Sequence, residues 1–272
     1  MVGGRVRIMK TALIFGSSGL VGNQLLNIIV QKNNFKHIKL FVRSVLKNNN
    51  SKVETFQTDF INLEKHKDSI VGDDCFFCIG TTRKDTPDKN EYRRIEYNIP
   101  INVARIAKSN AVGSFVYISS MGANLNSSNS YLKNKAQVEE ELNNLNLSFY
   151  LKKKLGSSTR PLVIKQFKKG FSNLTYSIIW DKNEYVLRKP PFGANIKSGH
   201  DMRREYNVLS NLSKYYNKVP KTYFFEDDKN VLGSSFYVMQ RLNGIILRPN
   251  TPESSMPDKK DISKLSKNFI KT

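Results

Sequence analysis

The stretch KTALIFGSSGLVGNQLLNIIV, residues 10–30, contains a short apolar segment, a glycine turn and a segment with helical apolar spacing. Its glycines, Gly16, Gly19 and Gly22, are spaced G-x-x-G-x-x-G. Glycines at this spacing let the backbone turn tightly and approach a pyrophosphate at the positive end of the following helix. We therefore predict a strand–turn–helix unit that opens a nucleotide-binding α/β domain; glycines kept only for packing are the alternative.

A second apolar segment, HIKLFVR at residues 37–43, follows at the interval expected for the next strand. It ends in Arg43 rather than in an acidic residue. A carboxylate here would accept hydrogen bonds from a ribose diol, whereas an arginine can pair with a 2′-phosphate through its planar fork. The sequence therefore favours NADP over NAD, with a solvated surface arginine as the alternative.

Two further segments, VETFQTDF at 53–60 and DDCFFCIGTT at 73–82, predict additional strands. Asp59 is expected to meet the adenine amine, or else to be a plain loop acid. The residues predicted to bind the cofactor are Gly16, Ser17, Ser18, Gly19, Leu20, Val21, Gly22, Arg43, Asp59, Phe60, Gly80, Thr81 and Thr82.

The two cysteines, Cys75 and Cys78, form a C-x-x-C pattern, which invites comparison with redox and zinc sites. In a strand, residues three apart point to opposite faces, so these sulfurs would diverge. The three histidines, at positions 37, 66 and 200, are scattered. We predict two small core residues and no metal site.

The segment FVYISSMGANLNSSNSYLKNKAQVEEEL, residues 115–142, carries the strongest chemical pattern. A predicted strand brings Ser119 and Ser120 to its C-terminal end, where open α/β sheets place ligands. Tyr131 and Lys135 are four residues apart in a predicted helix and share one face. A lysine ammonium beside a phenol favours the phenolate, which suits a general acid–base. An ordinary amphipathic helix with an exposed Tyr and Lys is the alternative.

Residues 10–149 resemble the short-chain dehydrogenase/reductases, most of all the small atypical members related to the Tat-interacting tumour-suppressor oxidoreductase. CIGTTRKD, YISSMGAN and YLKNKAQVEEEL carry the resemblance. It implies a Rossmann fold with a doubly wound parallel sheet, NADP(H) as cofactor and a small-molecule carbonyl or alcohol as substrate. It also implies that Ser120, with Ser119 in reserve, polarises the carbonyl, that Tyr131 donates the proton and that Lys135 is its partner.

The family pattern changes after LSFY, residues 147–150, which corresponds to a strand in the family. Family members continue into an arginine–proline loop and a substrate pocket, whereas LSFY here runs directly into LKKKLGSSTRPLVIKQF. Cofactor binding is therefore better supported than turnover. Without a sixth strand, the sheet would keep an open edge that favours pairing with a second copy of the chain.

The segment LKKKLGSSTRP, which begins at residue 151, is basic, then small and polar, and ends in proline. We predict a linker at 151–163, between a first domain at 1–150 and a second at 164–272. The second domain has the pattern of three strands, a helix at HDMRREYNVLSNLSKYY, and two or three more strands, the last at GIILRP. This order predicts an α+β fold like the N-terminal lobe of a kinase.

Three residues of the second half fit an ATP site. Arg188, on the predicted third strand, would neutralise the α- and β-phosphates, and Glu205, on the helix, would pair with it. The backbone near Met239 would meet adenine, and the hairpin KKGFSN would bring N–H groups over the phosphates. A surface ion pair, with Met239 as plain core, is the alternative.

Residues 166–248 resemble the aminoglycoside phosphotransferase-like family, especially members joined to acyl-CoA dehydrogenase domains. FKKGFSNLTYSI, YVLRKPPFGANIKSGHDMRREYNVLSNL and LGSSFYVMQRLNGIILR carry the resemblance. It implies an ATP-binding lobe whose partner lobe transfers phosphate to a small hydroxylated molecule. In the family, a catalytic aspartate and a metal-holding aspartate follow the hinge, the segment that would meet adenine, here FYVMQRLNG at 236–244. After Gly244 the only aspartates are Asp258 and Asp261, in a polar tail. We therefore expect no phosphoryl transfer.

The chain has 272 residues and a net charge of +21, which suits phosphate-bearing ligands, nucleic acid or anionic lipid. Its lysines are scattered among asparagines rather than aligned on one face, so nucleic acid is the less favoured partner. No apolar run reaches the length of a membrane span, and MVGGRVRIMK lacks the apolar segment of a signal peptide. We expect a cytoplasmic protein.

Three interpretations of the whole chain remain at this point. It is an NADP-dependent oxidoreductase with a kinase-like appendage, a fragment of a small-molecule kinase, or an inactive fusion with a scaffolding role. The more complete motif set of the first half favours the oxidoreductase.

Overall fold

The chain folds into two units, each with its own five-stranded sheet. The computed structural model describes residues 9–44, 50–167, 173–191, 201–244 and 258–270. The two units are Met1–Leu155 and Gly156–Thr272. The first unit therefore extends five residues beyond the predicted end at 150, into the segment predicted as a linker.

The first unit is built on a parallel sheet. Its strands are β1 (Lys10–Phe15), β2 (Phe35–Val42), β3 (Val53–Gln57), β4 (Asp74–Phe77) and β5 (Ser114–Tyr117). The strand order is β3-β2-β1-β4-β5, and all four pairs are parallel. The order reverses between β1 and β4, so the carboxyl ends of these strands form the crevice where such sheets bind ligands.

Helical segments connect these strands. They are α1 (Leu20–Gln31), a 3-10 helix (Leu63–Ser69), α2 (Lys89–Arg93), a π-helical turn (Arg94–Asn98), α3 (Ile99–Ser109) and α4 (Ser130–Leu155). The side chain of Asp88 caps α2 by accepting a hydrogen bond from the N–H of Glu91 at 2.7 Å. Pro100 lies at the start of α3, directly after the π-helical turn. The predicted doubly wound α/β fold is confirmed.

Aromatic packing fills one face of this sheet. The rings of Phe15 and Phe41 stack with centroids 4.4 Å apart, and Phe56 continues the stack from Phe41 at 5.1 Å. The opposite face packs β1 and β2 against α1 through Ala12, Ile14, Leu26 and Ile29, among others. The central strand β1 is therefore buried on both faces, as expected for a parallel sheet covered by helices.

The predicted strand at LSFY is wrong, because residues 147–150 belong to α4. Leu147 and Leu151 are both fully buried and lie four residues apart, which is helical spacing. A four-residue apolar run does not by itself distinguish a strand from a buried helical turn. In the part of the chain that the structure describes, β5 is an edge strand with β4 as its one paired neighbour.

The second unit is built on an antiparallel sheet. Its strands are β6 (Val163–Gln166), β7 (Leu174–Trp180), β8 (Asn183–Lys189), β9 (Thr222–Glu226) and β10 (Phe236–Gln240), in the order β6-β7-β8-β10-β9. The helices are α5 (Met202–Leu212), α6 (Lys229–Leu232) and α7 (Lys259–Ile270). The chain order of three strands, a helix and two strands agrees with the predicted kinase-like lobe.

Two details of the second unit bear on the predictions. In the turn between β7 and β8, Asp181 has φ 55, and its carboxylate accepts hydrogen bonds from both the N–H and the hydroxyl of Thr159. The segment after Asp258, predicted as a polar tail, instead forms α7. The hairpin at 168–172 and the strand predicted at GIILRP lie outside the described residues, apart from Gly244. In the described ranges, no helix is long and apolar enough to cross a membrane.

Gly22 gives the first testable prediction. A Cβ atom at this position would lie 2.1 Å from the carbonyl oxygen of Gly16, a backbone atom with little freedom to move. Alanine gains about 1 kcal/mol of helix propensity over glycine. An inserted methyl group without space costs about 1–3 kcal/mol or more, and this overlap is severe. We expect Gly22→Ala to lower the free energy of unfolding of the first unit by about 2 kcal/mol in urea denaturation.

The matched control is Gly19→Ala in the same turn. Its Cβ would meet the Gly16 oxygen at 3.5 Å, an ordinary van der Waals distance. Equal stability losses in the two variants would show that close backbone packing is not the reason for glycine at position 22.

Candidate functional site

A cavity of about 240 Å³ lies at the carboxyl ends of the parallel strands, and we call it the glycine-turn cavity. Seven of the residues predicted to bind the cofactor line it: Gly16, Ser18, Gly19, Arg43, Phe60, Gly80 and Thr81. They come from the loops after β1, β2, β3 and β4. These loops are far apart in the sequence and meet because the strands lie side by side in the sheet. Further lining residues, which include Ile79, Asp85, Thr86, Arg94 and Ile95, were not predicted.

The glycine turn presents backbone rather than side chains to this cavity. Gly16 has φ 86, and a Cβ there would lie 2.8 Å from the N–H nitrogen of Ile79. Gly19 is the N-cap of α1 and provides no side-chain cap, and the first turn of α1 has no acidic residue. The N–H groups at the start of this 12-residue helix are therefore available to an anion. This arrangement fits the pyrophosphate of a dinucleotide.

Five other residues predicted to bind the cofactor do not line the glycine-turn cavity: Ser17, Leu20, Val21, Gly22 and Thr82. Ser17 is fully buried, and its hydroxyl has no hydrogen-bond partner among the described residues. Leu20 and Val21 point to solvent, with 84% and 50% of their surface exposed. Gly22 packs against Gly16. Thr82, in the loop after β4, donates to the carboxylate of Asp85 at 2.6 Å.

A second cavity, of about 470 Å³, shares Arg43 and Arg94 with the first, and we call it the arginine cavity. Its other lining residues include Asp59, Lys65 and His66. Arg94 pairs with Glu91 through Nε and Nη2, both at 2.7 Å, whereas its Nη1 has no hydrogen-bond partner in the described part of the chain. Arg43, Lys65, His66 and Arg94 thus surround a space that suits a phosphate group.

Asp59 lies in the arginine cavity rather than in the glycine-turn cavity. Its carboxylate accepts a hydrogen bond from the N–H of Ile61 at 2.8 Å, as a turn-forming aspartate does. The next residue, Phe60, is buried and lines the glycine-turn cavity at φ 61, a left-handed conformation that is rare for a bulky residue. Backbone strain of this kind commonly marks ligand sites.

The two cysteines differ in surroundings. Cys75 lies within β4 and is fully buried, which raises the pKa of its thiol. Cys78 follows β4, is only partly buried and lines the glycine-turn cavity, so its prediction as a core residue is wrong. Burial also raises the pKa of Cys78, which disfavours a reactive thiolate. Neither thiol is in a disulfide.

The predicted catalytic residues lie where β5 ends and α4 begins. The side chain of Asn129 accepts a hydrogen bond from the N–H of Tyr131 at 2.9 Å and so fixes the first turn of α4. Tyr131 has 37% of its surface exposed. The hydroxyl of Ser120 donates to the carbonyl of Met121 at 3.3 Å, whereas the hydroxyl of Ser119 is buried and has no hydrogen-bond partner among the described residues.

Lys135 is deeply buried, and its charge is balanced by a residue that the sequence analysis missed. Its Nζ lies 3.0 Å from Oε2 of Glu96, and 94% or more of each side chain is shielded from solvent. The ammonium also donates to the carbonyl of Ile118 at 3.3 Å and lies 5.5 Å from the ring centroid of Tyr131 and 4.8 Å from that of Tyr117.

The electrostatics of Lys135 keep it charged. Burial by itself lowers the pKa of a lysine, but the interactions of Lys135 with Tyr117 and Glu96 outweigh burial and raise its pKa. Glu96 could not be found from the sequence, because it stands among charged residues in EYRRIEYN and no motif marks it. Its burial is a consequence of the π-helical turn and of the packing around it.

The second unit has its own candidate site. Arg188 on β8 and Glu205 on α5 form the predicted ion pair, with 3.1 Å between Nε and Oε2. Glu205 also accepts hydrogen bonds from the amide of Asn173 at 2.6 Å and from the hydroxyl of Tyr237 at 3.0 Å. Burial raises the pKa of Tyr237, so this hydroxyl remains a donor. Arg188, Glu205 and Met239 all line one cavity of about 530 Å³, which we call the α5 cavity.

The described residues contain no group of three or more His, Cys, Asp or Glu side chains that could hold a metal ion.

The fold and the glycine-turn cavity of the first unit define a Rossmann-type nucleotide-binding protein. The chain belongs to the family described as NAD(P)H-binding, which it matches over residues 16–151, half of its length. Residues 163–265 match the family described as phosphotransferase enzyme family. Both family resemblances inferred from the sequence are confirmed by these matches.

Each half also has curated relatives. Protein FMP52, mitochondrial, from Debaryomyces hansenii is 33% identical over 134 residues, which cover 48% of this chain and 59% of that protein. Acyl-CoA dehydrogenase family member 10 from Mus musculus is 37% identical over 108 residues, which cover 39% of this chain and 10% of that protein. The chain therefore spans about three fifths of the first relative and a tenth of the second.

Among solved structures, uronate dehydrogenase from Agrobacterium tumefaciens is similar with 16% identity and a TM-score of 0.44, over 55% of this chain and 58% of that one.

Proposed function

We propose that the first unit is an oxidoreductase of the short-chain type, which uses a nicotinamide cofactor to interconvert a carbonyl and an alcohol on a small molecule. The observation that carries the proposal is the connection between the glycine-turn cavity and the buried Lys135. Glu96 contacts Lys135 at 3.0 Å and accepts a hydrogen bond at 2.6 Å from the N–H of Thr81, which lines that cavity.

The residues present fit such a cofactor. The glycine turn and the first N–H groups of α1 would hold the pyrophosphate, and the glycine-turn cavity would accept the adjoining nucleotide. The bound cofactor supplies or accepts a hydride.

The protein's own side chains have three roles in this proposal. The hydroxyl of Ser120 would donate a hydrogen bond to the carbonyl oxygen, and Ser119 is its substitute. Tyr131 would give a proton to the same oxygen as the alcohol forms, and would take it back in the reverse direction. The ammonium of Lys135 lies beside the Tyr131 ring and would stabilise the phenolate that forms when Tyr131 loses its proton.

We further propose that NADP(H) is preferred over NAD(H). Arg43 follows β2 at the mouth of the glycine-turn cavity and also lines the arginine cavity. Arg94, Lys65 and His66 add positive or protonatable groups around the same space, and Nη1 of Arg94 is an unpaired donor among the described residues. A 2′-phosphate placed here would be held by two guanidinium groups.

The variant Gly19→Val tests cofactor binding. A Cβ at Gly19 has room in the empty protein, but the larger side chain would occupy the space above the helix N-terminus that the pyrophosphate needs. We expect the chain to remain folded, with a cost of about 1 kcal/mol at the N-cap. NADPH affinity, measured by fluorescence titration, should fall at least tenfold.

Asn27→Val is the matched control, because Asn27 lies on an exposed part of the same helix. NADPH affinity that survives Gly19→Val would refute the proposed cofactor site.

The variant Arg43→Ala tests the preference between the two cofactors. Loss of a charged contact to the 2′-phosphate should weaken NADPH binding about tenfold and leave NADH binding unchanged. The measurement is a thermal-shift titration with both nucleotides in parallel, because a ligand of the folded state raises the melting temperature. Arg105→Ala, which removes a surface arginine paired with Glu141, is the control. An equal loss of affinity for both nucleotides would mean that Arg43 does not contact the 2′-phosphate.

A second function, ATP binding by the second unit, is favoured by one observation. Arg188, Glu205 and Met239 converge on the α5 cavity, with the arginine already fixed by the glutamate. We propose that this unit binds ATP through Arg188. That the chain transfers no phosphate stays a prediction.

Arg188→Ala should abolish the rise in melting temperature that Mg-ATP produces in the second unit. Glu205 keeps its hydrogen bonds from Asn173 and Tyr237 in this variant, so the unit should stay folded. The control is Arg203→Ala, which removes an exposed arginine of α5 paired with Asp227. No response of the unaltered chain to millimolar Mg-ATP would remove this second function.

Partners and location remain proposals. We propose a small-molecule substrate, no membrane or nucleic-acid partner, and self-association through the outer edge of β5. We propose a cytoplasmic location, with a mitochondrial one as the alternative because the similar fungal protein FMP52 is named as mitochondrial.

A further inference from the structure

Glu96 joins two parts of the candidate active site that are distant in sequence. Its Oε1 accepts the N–H of Thr81 at 2.6 Å, in the loop after β4. Its Oε2 lies 3.0 Å from Nζ of Lys135 on α4. Its carboxylate is also close to Gly80, where a Cβ would meet Oε1 at 3.3 Å. One carboxylate therefore contacts both the rim of the glycine-turn cavity and the catalytic-site lysine.

The backbone that carries Glu96 is unusual. It belongs to a five-residue π-helical turn, Arg94–Asn98, between α2 and α3. Such turns are rare and occur frequently at functional sites, because the extra residue redirects side chains. Here Glu96 is almost fully buried, whereas the neighbouring Arg94 faces the two cavities.

Burial makes this pairing consequential. A buried lysine without a counter-charge loses its proton readily, because the low-dielectric interior disfavours the ammonium form. Among the described residues, the other ionisable groups near Lys135 are phenols: Tyr92 beside the π-helical turn, Tyr117 on β5 and Tyr131 on its own helix. Glu96 is therefore the carboxylate that compensates the ammonium.

We infer that Glu96 is a positioning residue of the active site, which keeps Lys135 charged and fixed relative to the cofactor loop at Gly80–Thr81. This inference rests on the proposed function. It assigns Glu96 an action through Lys135 and Thr81, without contact to the reacting atoms.

The test compares Glu96→Gln with the unaltered chain between pH 7.5 and 9.5. Glutamine keeps the shape and the acceptor for Thr81 but removes the charge. Without that charge, the pKa of Lys135 should fall, because burial then disfavours the ammonium form with less compensation. Because Glu96 holds both Lys135 and the N–H of Thr81 in the lining of the glycine-turn cavity, loss of the ion pair should loosen this loop. NADPH affinity should therefore fall more steeply with rising pH in Glu96→Gln than in the unaltered chain.

Two controls accompany the variant. Glu141→Gln removes a carboxylate from the same helix, α4, that pairs with Arg105 at the surface at 3.2 Å. It should reproduce the pH profile of the unaltered chain. Lys135→Met leaves Glu96 without its ion-pair partner, and its NADPH binding should show no additional fall with pH, because the titrating ammonium is absent.

A direct readout does not depend on the cofactor. The Cε resonance of Lys135 in ¹³C-lysine-labelled protein, assigned by its loss in Lys135→Met, should titrate at lower pH in Glu96→Gln than in the unaltered chain. If the unaltered chain does not bind NADPH, the proposed function fails. The titration still tests whether Glu96 raises the pKa of Lys135.

Two results would contradict a positioning role for Glu96. If Glu96→Gln lowers only the melting temperature and keeps both the pH profile of NADPH binding and the Lys135 titration, then Glu96 is merely structural. A pH profile like that of Glu141→Gln would have the same meaning.

Discussion

The close approach of α1 to the glycine turn is the constraint on which the first unit depends. Gly22 packs so tightly against the carbonyl of Gly16 that no side chain fits between them. This contact sets α1 directly against β1 and points the N-terminal end of the helix at the crevice. The same turn places Gly16 against Ile79 after β4, so one short segment fixes the spacing of two neighbouring strand ends. The glycine-turn cavity results from these two contacts.

Both units hold a basic side chain with a glutamate from a helical segment, but at different depths. Lys135 and Glu96 are almost completely shielded, and the pair stands in the interior of the first unit. Arg188 and Glu205 keep about a third of their side-chain surface exposed, and two further donors share the glutamate. Burying an ion pair costs desolvation energy but fixes the position of both charges. In a partly exposed pair, the arginine can still reach an anion from solvent. The net charge of +21 adds a long-range attraction for such anionic ligands.

Local pattern predicted much of the fold, and its failures are instructive. The strand–turn–helix unit, the parallel sheet and the chain order of the second unit followed from apolar spacing and glycine positions. LSFY was assigned wrongly because four apolar residues fit a strand and a buried helical turn equally well, and packing of Leu147 and Leu151 decided the matter. Cys78 was assigned to the core because the strand was expected to continue past Phe77, where β4 ends.

The sequence by itself determined the residues whose role depends on neighbours a few positions away: the glycine turn and the helical pairing of Tyr131 with Lys135. Only the tertiary structure decided which charges meet. Glu96 reaches Lys135 across 39 positions, and Arg94 joins Arg43 at one cavity across 51, because the strand order brings separate loops to one edge of the sheet. Electrostatic contacts depend on distance and burial in space, and neither is written in the local pattern of residues.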